Sequence, residues 1–303
     1  MPGNLDFFKG TMDDLEEIFE LIDLTGWGER VEDIRSVIRN PDNHYITAVD
    51  VESNQMIGII LAVKNGEFGY IAHVIVRSEY RKMGIGQELM NEGMSYLKYH
   101  DCQTVKLDAV PNAITLYERV GFKPELKSLR LLLDISSDSL FETYQNNREK
   151  LGKKLQVFKT KECDLSQISE TDVEIFGADR RNLLMTLFEL YPEYAFLSRD
   201  KDDNITGYLF GLYKNGCLTL KAGICDSKET CASLIDSAII TVKENEDVQS
   251  IYLGTLENSK FGLEVLETLG FKQTKYSLRM YYGKKAETAN NPTIFAIGDP
   301  AKG

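Results

Sequence analysis

The feature that most constrains this chain is an internal repeat of about half its length. The segment LYERVGFKPELKSLRL at residues 116–131 aligns with VLETLGFKQTKYSLRM at 265–280, which pairs Gly121 with Gly270 at an offset of 149 residues. Further identities at this offset are Phe122 with Phe271, Lys123 with Lys272, Ser128 with Ser277, Leu129 with Leu278 and Arg130 with Arg279. A repeat of this period decides the architecture, because each copy must then fold in the same way.

The repeat continues toward the N-terminus. The same offset pairs Gly58 with Gly207, inside the similar blocks MIGIILAVKNG and ITGYLFGLYKNG. A 303-residue chain has room for two domains of ordinary size. The sequence therefore predicts a tandem duplication of one ancestral domain. The first domain is predicted over residues 1–135, a polar connector over 136–155 and the second domain over 156–303.

The first copy mixes strand and helix signals. Strands are predicted from apolar runs and from an Asn-Gly turn signal at residues 65–66. Helices are predicted from apolar residues at helical spacing and from a run that stops at Gly121. The predicted strands are 45–49, 56–63, 69–77 and 105–109, and the predicted helices are 86–99 and 113–120. The run 293–297 is predicted as a last strand of the second copy. This order of elements indicates an α/β fold with a mixed sheet.

Composition excludes several classes of protein. The net charge is -12, whereas nucleic-acid-binding proteins normally carry a basic surface, so we expect no nucleic-acid partner. The longest apolar run, 56–63, is far shorter than the roughly 20 residues of a membrane span, and no signal peptide is visible. Five cysteines without a CxxC pair indicate reduced thiols and no zinc site. We therefore expect a cytoplasmic protein without a membrane partner.

The strongest chemical signal is a turn between a strand and a helix. Residues 75–90 read IVRSEYRKMGIGQELM, in which Arg81-x-x-Gly84-x-Gly86 opens the predicted helix. Glycines let several N–H groups approach one point at a helix N-terminus, which suits a pyrophosphate. The spacing differs from GxGxxG, and no Gly-Lys-Ser/Thr closes the loop, so neither a dinucleotide fingerprint nor a Walker A loop is indicated.

This turn is followed downstream by Leu116-Tyr117-Glu118-x-x-Gly121-Phe122. The two motifs together resemble those of the GNAT superfamily of acyl-CoA-dependent N-acetyltransferases. The resemblance implies a GNAT fold and acetyl-CoA as cosubstrate. It implies that Val74 and Val76 hydrogen-bond the pantetheine arm and that Tyr117 lies beside the thioester sulfur. The residues implied to hold the pyrophosphate are Arg81, Lys82, Met83, Gly84, Ile85, Gly86 and Gln87.

The second half is similar to the C-terminal domain of tandem GNAT proteins. That similarity is carried by residues 172–180, DVEIFGADR, and by Gly26-Trp27 of the first half, which matches a GW element in the N-terminal domains. Residues 225–240 contain no glycine, and Leu266 stands opposite Tyr117, so we expect one acyl-CoA site per chain, in the first copy. Two roles for the second copy stay open: burying a face of the first, or shaping its acceptor pocket.

The resemblance implies direct transfer of an acetyl group to the primary amine of a small molecule in a ternary complex. Tyr117 is the expected acid, and a strand N–H near Val74 or Val76 the expected oxyanion donor. His73 is a candidate base, with Glu67, Asp108 and an ordered water chain as alternatives. Trp27 is a candidate for stacking on the acceptor.

A non-catalytic acyl-CoA-binding sensor or scaffold is the alternative function. We expect no metal, and a monomer or homodimer.

Overall fold

The structure of the protein is a computed structural model, which describes residues 5–27, 29–285 and 291–298. It divides into two compact units. Unit 1 comprises residues 5–125 together with Arg279–Lys285, and unit 2 comprises Leu126–Leu278 together with residues 291–298. Among these described residues, no helix is both long enough and apolar enough to cross a bilayer.

The described part of unit 1 contains five strands and four helices that begin and end within it. In chain order they are β1 (Leu5–Lys9), α1 (Leu15–Asp23), α2 (Val31–Arg39), β2 (Asn43–Asp50), β3 (Gln55–Asn65), β4 (Phe68–Val76), α3 (Ile85–Tyr99), β5 (Thr104–Ala109) and α4 (Ile114–Val120). The sheet order is β1-β2-β3-β4-β5, with antiparallel neighbours except for the parallel pair β4 and β5. The strand and helix predictions for the first copy are confirmed to within two residues at each end.

Strand β3 lies at the centre of the core of unit 1. All residues of its segment 56–63 are buried. Successive side chains of a strand point to opposite faces, so continuous burial means that both faces of the sheet are covered. Helices α1 and α3 both pack against this strand. Helix α1 buries Ile18, Leu21 and Ile22 at helical spacing, which fixes the face that it turns to the sheet.

The pairing of strand β4 is irregular with both of its neighbours, and both irregularities affect the candidate site. Its parallel pairing with β5 covers only Phe68, Gly69 and Tyr70, so the edge beyond Tyr70 carries no ladder bonds to β5. Against β3, the register shifts between the pairs formed by Ala72 and Ile75, which marks a β-bulge at His73 and the next residue. His73 has φ +47°, a left-handed conformation that costs a non-glycine residue about 1–3 kcal/mol.

Unit 2 repeats this plan. Strand β6 (Lys123–Asp134) starts in unit 1 and continues into unit 2. It is followed by α5 (Asp138–Glu149), β7 (Phe158–Lys159), α6 (Leu165–Phe176), α7 (Arg181–Leu190), β8 (Ala195–Arg199), β9 (Ile205–Lys214), β10 (Cys217–Cys225), α8 (Lys228–Asn245), β11 (Ser250–Leu256), α9 (Gly262–Leu269), β12 (Lys272–Gly283) and β13 (Ile294–Ala296). Strands β7, β8, β9, β10, β11 and β6 follow one another in its sheet.

The observed units differ in detail from the division at residue 135 that the repeat suggests. Most of β6 pairs with β11 and belongs to unit 2, whereas the end of β12, from Arg279 onward, belongs to unit 1. The predicted connector contains α5, which packs into the core of unit 2 through Tyr144. The Tyr144 hydroxyl donates a hydrogen bond of 2.8 Å to Asp236. Sequence similarity marks where a copy ends, but it carries no information on which sheet the last strand joins.

Candidate active site

The turn between β4 and α3 is held in place by arginine side chains. Arg81 Nε donates to the Val76 carbonyl at 3.0 Å, which ties the turn to the end of β4. Arg77 Nε donates to the Met56 carbonyl at 2.8 Å, and its Nη1 lies 3.0 Å from Glu20. Arg77 therefore anchors the strand end, whereas Arg81 and Lys82 are exposed at the turn.

The same turn presents backbone N–H groups at the start of α3. Lys82 (φ +65°) and Gly84 (φ +92°) adopt left-handed conformations, and Gly84 is the N-cap of the helix. A Cβ built on Gly84 would have no atom within 4 Å, so the space beside it is open. The first N–H groups of a helix have no partner within the helix, and they attract anions. The geometry of this open cradle suits a phosphate group.

The free edge of β4 offers the next binding surface. The Arg77 N–H donates to the Ile57 carbonyl at 2.8 Å. Hydrogen bonding alternates along an antiparallel pair, so the peptide groups of Val76 point away from β3. The Arg81 contact to the Val76 carbonyl lies on this open side. An extended, amide-containing arm such as pantetheine fits this edge as an added strand would.

Tyr117 lies on α4, and its side chain is 9% exposed. Its ring packs edge-to-face on Phe122, with 6.2 Å between the ring centroids. Burial raises the pKa of the Tyr117 hydroxyl to about 12, so the group stays protonated at neutral pH. Within the described part of the chain this hydroxyl makes no hydrogen bond, which leaves its proton available to a ligand.

His73 lies in the bulge of β4, and its imidazole is held between two side chains. Its Nδ1 lies 2.7 Å from the Tyr45 hydroxyl, and its Nε2 lies 2.9 Å from Glu29 Oε1. The imidazole is 5% exposed. The Trp27 ring stands 5.7 Å from the His73 ring, centroid to centroid, and Trp27 is 47% exposed. The structure thus brings together two residues singled out from the sequence, and adds Glu29, which sequence reasoning missed.

The two carboxylates considered as alternative bases lie elsewhere in unit 1. Asp108 accepts a 2.9 Å hydrogen bond from Arg279 Nε, and the side chains of both are almost fully buried. Glu67 is exposed in the turn before β4, six residues before His73. At about 3.3 Å per residue of strand, this places Glu67 roughly 20 Å along the chain from the bulge. Neither is positioned like Glu29.

Unit 2 keeps the bulge but fills the open edge. Ala222, at the repeat position of His73, has φ +42°, and the register of β10 shifts there as well. Strand β10 pairs with β11 only as far as Leu220, and β13 occupies the gap beyond it. Strand β13 pairs antiparallel with β10, and Ile297, the next residue after it, donates its N–H to the Gly254 carbonyl of β11 at 2.9 Å.

Between β10 and α8, the described residues of unit 2 do not form a phosphate turn. Helix α8 begins at Lys228, only two residues after β10 ends, and Ser227 caps it. Thr230 and Ser233, which the repeat places opposite Arg81 and Gly84, are buried within this helix. Thr230 Oγ1 donates to Asp226 at 2.7 Å, so a carboxylate stands at the helix N-terminus. A phosphate would be repelled there.

The motif at residues 172–180 is structural. Arg180 forms two hydrogen bonds to Asp172, of 3.0 and 2.6 Å, and its guanidinium lies 3.7 Å from the centroid of the Phe176 ring. The Tyr208 hydroxyl donates to the same carboxylate at 2.5 Å. All four side chains are buried. They fix the turn between α6 and α7.

No metal site is indicated in the described residues, since no three of their His, Cys, Asp and Glu side chains are grouped to hold an ion. All five cysteines are free thiols.

Comparison with known families covers both units. Residues 9–122 match the model described as the acetyltransferase (GNAT) family, and residues 168–296 match that described as the acetyltransferase (GNAT) domain. The chain is 29% identical over 243 residues to an uncharacterized N-acetyltransferase, YitH, of Bacillus subtilis (strain 168), covering 78% of each protein. The resemblance predicted from the sequence motifs is confirmed for both halves.

Solved structures agree on the fold. A putative acetyltransferase from Pyrococcus horikoshii superposes with a TM-score of 0.74 at 19% identity, over 99% of this chain and 96% of the other. A tandem GNAT protein from the clavulanic acid biosynthesis pathway gives a TM-score of 0.64 at 14% identity, over 92% and 98%. The predicted fold class, two tandem GNAT folds with mixed α/β sheets, is confirmed.

Proposed function

The chain belongs to the GNAT family of acetyltransferases, and from that premise we propose that unit 1 transfers the acetyl group of acetyl-CoA to the primary amine of a small molecule. One observation carries this proposal. The open edge of β4, the anion-binding turn and the protonated Tyr117 occur together in unit 1, whereas unit 2 lacks the turn and has its edge filled.

The proposed chemistry is direct transfer in a ternary complex. The neutral amine attacks the thioester carbonyl, the new C–N bond forms, and the C–S bond breaks. A peptide N–H of Val74 or Val76 on the free edge stabilises the carbonyl oxygen as it gains charge. Tyr117 donates its proton to the leaving sulfur and then takes up the proton that the amine nitrogen loses. Holding both substrates together in the right geometry lowers the activation free energy of the transfer.

Each residue at the turn has a proposed part in holding acetyl-CoA. The N–H groups of the turn and first helical residues bind the pyrophosphate, and Arg81 fixes the turn against β4. The residues proposed for this role are Arg81, Lys82, Met83, Gly84, Ile85, Gly86 and Gln87. Free thiols at all five cysteines support work in the reducing cytoplasm.

Thiol release tests this function. Purified protein is mixed with acetyl-CoA and a panel of primary amines, and free CoA is read with a thiol reagent. The protein's own thiols are subtracted with a sample lacking acceptor. We expect at least one amine to raise release well above that background. Acetyl-CoA that raises the melting temperature without any amine-dependent release would instead establish a non-catalytic acyl-CoA sensor.

Stoichiometry tests the assignment of the cofactor site to one unit. Because β13 fills the edge in unit 2 and α8 replaces the turn, calorimetric titration with acetyl-CoA is expected to give one site per chain. A value near two would show that unit 2 also binds the cosubstrate and would contradict the assignment.

A further inference from the structure

We propose that Tyr282, near the end of β12, is a positioning residue that holds the Tyr117 ring where its hydroxyl acts as the acid. This inference rests on the proposed function, because it deepens the role of Tyr117 in the same site. The end of β12, from Arg279 onward, belongs to unit 1, although the strand begins in unit 2. A residue of the second copy would thus serve the site of the first.

Three aromatic rings of unit 1 form a continuous series. The Tyr282 ring packs on the Phe122 ring, with 5.7 Å between the ring centroids and 46° between the ring planes. Phe122 is buried, and its ring packs edge-to-face on Tyr117 at a centroid distance of 6.2 Å. Aromatic pairs prefer particular arrangements, so the position of each ring restricts the next. Tyr282 therefore acts on Tyr117 through Phe122.

The helix that carries Tyr117 needs such support. A helix of seven residues is too short to be stable by itself in water, so α4 depends on its packing. It ends at Gly121, where φ is +102°, and a Cβ built there would lie 3.3 Å from Cε2 of Tyr282. The Phe122 N–H donates to the Tyr117 carbonyl at 3.0 Å. The Tyr282 ring thus covers the turn that closes back onto the acid residue.

The strand end that carries Tyr282 is itself fixed on both sides of this residue. Before it, Arg279 Nε donates to Asp108 at 2.9 Å, and both side chains are buried. After it, the Lys284 N–H donates to the Gln103 carbonyl at 3.1 Å. With its backbone anchored to β5 and to the residue before β5, the Tyr282 side chain can restrict the ring that it contacts.

The repeat supplies a comparison within the chain. At the offset of 149 residues, Leu133 stands opposite Tyr282, and Leu266 stands on the helix in place of Tyr117. In unit 2, a Cβ built on the corresponding glycine, Gly270, would lie 3.6 Å from Cδ1 of Leu133. Leucine therefore suffices to pack on the glycine after the helix. The aromatic ring is found in the unit whose helix carries the tyrosine, which favours a role beyond packing.

Tyr282→Leu tests this inference, because leucine fits the same contact in unit 2. We expect the melting temperature and the acetyl-CoA affinity to change little. With any amine that is acetylated, kcat should fall by about tenfold or more, since a misplacement of about 1 Å in a reacting group can cost about a hundredfold. KM for the amine should change less. Tyr282→Phe keeps the ring and should keep kcat.

Tyr276→Leu is the matched control. It removes a tyrosine of the same strand and of the same exposed fraction, 43% against 42% for Tyr282, and it should leave kcat unchanged. A kcat equal to wild type in Tyr282→Leu would overturn the proposal. An equal loss of kcat in Tyr282→Phe would also overturn it, because the hydroxyl and not the ring would then be the active part.

A spectroscopic measurement separates this inference from the proposed function. In protein labelled with fluorotyrosine, the fluorine NMR signal of Tyr117 is the one that Tyr117→Phe removes. We expect Tyr282→Leu to shift or broaden this signal and Tyr276→Leu to leave it in place. An unchanged signal in Tyr282→Leu would contradict the inference in an active enzyme. A wild type that releases no CoA with any amine would contradict the proposed function, and the NMR signal would then decide whether Tyr282 holds Tyr117.

Discussion

Gly84→Trp is expected to abolish measurable binding of acetyl-CoA while unit 1 stays folded. The space beside Gly84 is open to solvent, with no atom within 4 Å of a built Cβ, so an indole there meets no protein atom at its base. It would instead fill the cradle in which the N–H groups of the turn converge. Losing two hydrogen bonds to a charged phosphate corresponds to about a hundredfold or more in affinity.

The backbone at this position needs its own control. Gly84 has φ +92°, where any side chain costs about 1–2 kcal/mol. Gly152 has φ +79° and likewise no neighbour within 4 Å, but it lies in unit 2, far along the chain from the turn. Gly152→Trp should therefore lower the melting temperature to a similar degree and leave acetyl-CoA affinity intact. Calorimetric affinity unchanged in Gly84→Trp would remove the cofactor assignment.

Tyr117→Phe is expected to lower kcat by about a hundredfold or more, the usual contribution of a positioned general acid, with little change in acetyl-CoA affinity. Phenylalanine keeps the ring that packs on Phe122, so the fold of α4 is preserved. Single-turnover kinetics and a binding titration separate the two effects. Tyr99→Phe, which removes the hydroxyl of an exposed tyrosine at the end of α3, is the matched control.

The pH profile gives a second measure of the same residue. An ordinary tyrosine loses its proton near pH 10, whereas burial raises the pKa of Tyr117 to about 12. The acid is active in its protonated form, so its contribution should persist from neutral pH to about pH 10 and decline only as the pH approaches 12. Turnover equal to wild type in Tyr117→Phe, or a fall in kcat near pH 8 that the substitution abolishes, would contradict this role.

Much of the fold could be predicted because its signals are local. The Asn-Gly turn at residues 65–66 and the apolar runs beside it predict β3 and β4 closely, since turn chemistry and periodicity act over a few residues. The RxxGxG spacing likewise predicts the turn before α3. The run 293–297 predicts a strand, and β13 is one, but a short apolar run does not indicate which strands it joins.

The acceptor side of the site could be predicted only in part. The sequence indicates His73 because it lies on the strand before the RxxGxG turn, and Trp27 because it is the only tryptophan of the sequence and follows Gly26. It does not indicate Glu29, because the contact of Glu29 with His73 spans 44 residues and depends on the bulge at His73. The pairing of Asp108 with Arg279 spans 171 residues, so the sequence gives no sign of it either.

Under the proposed assignment of the cofactor site to unit 1, strand β13 also bears on whether unit 2 could be given such a site. Phe295 is fully buried, and a Cβ on Gly223 would come within 2.7 Å of its ring, so the gap is filled to contact distance. Restoring the glycines of the phosphate turn would gain nothing while the strand is in place. Removing the strand would expose a buried core before any cofactor could replace it. Glycines in the turn and removal of β13 would therefore both be needed, and neither change alone is expected to give unit 2 a cofactor site.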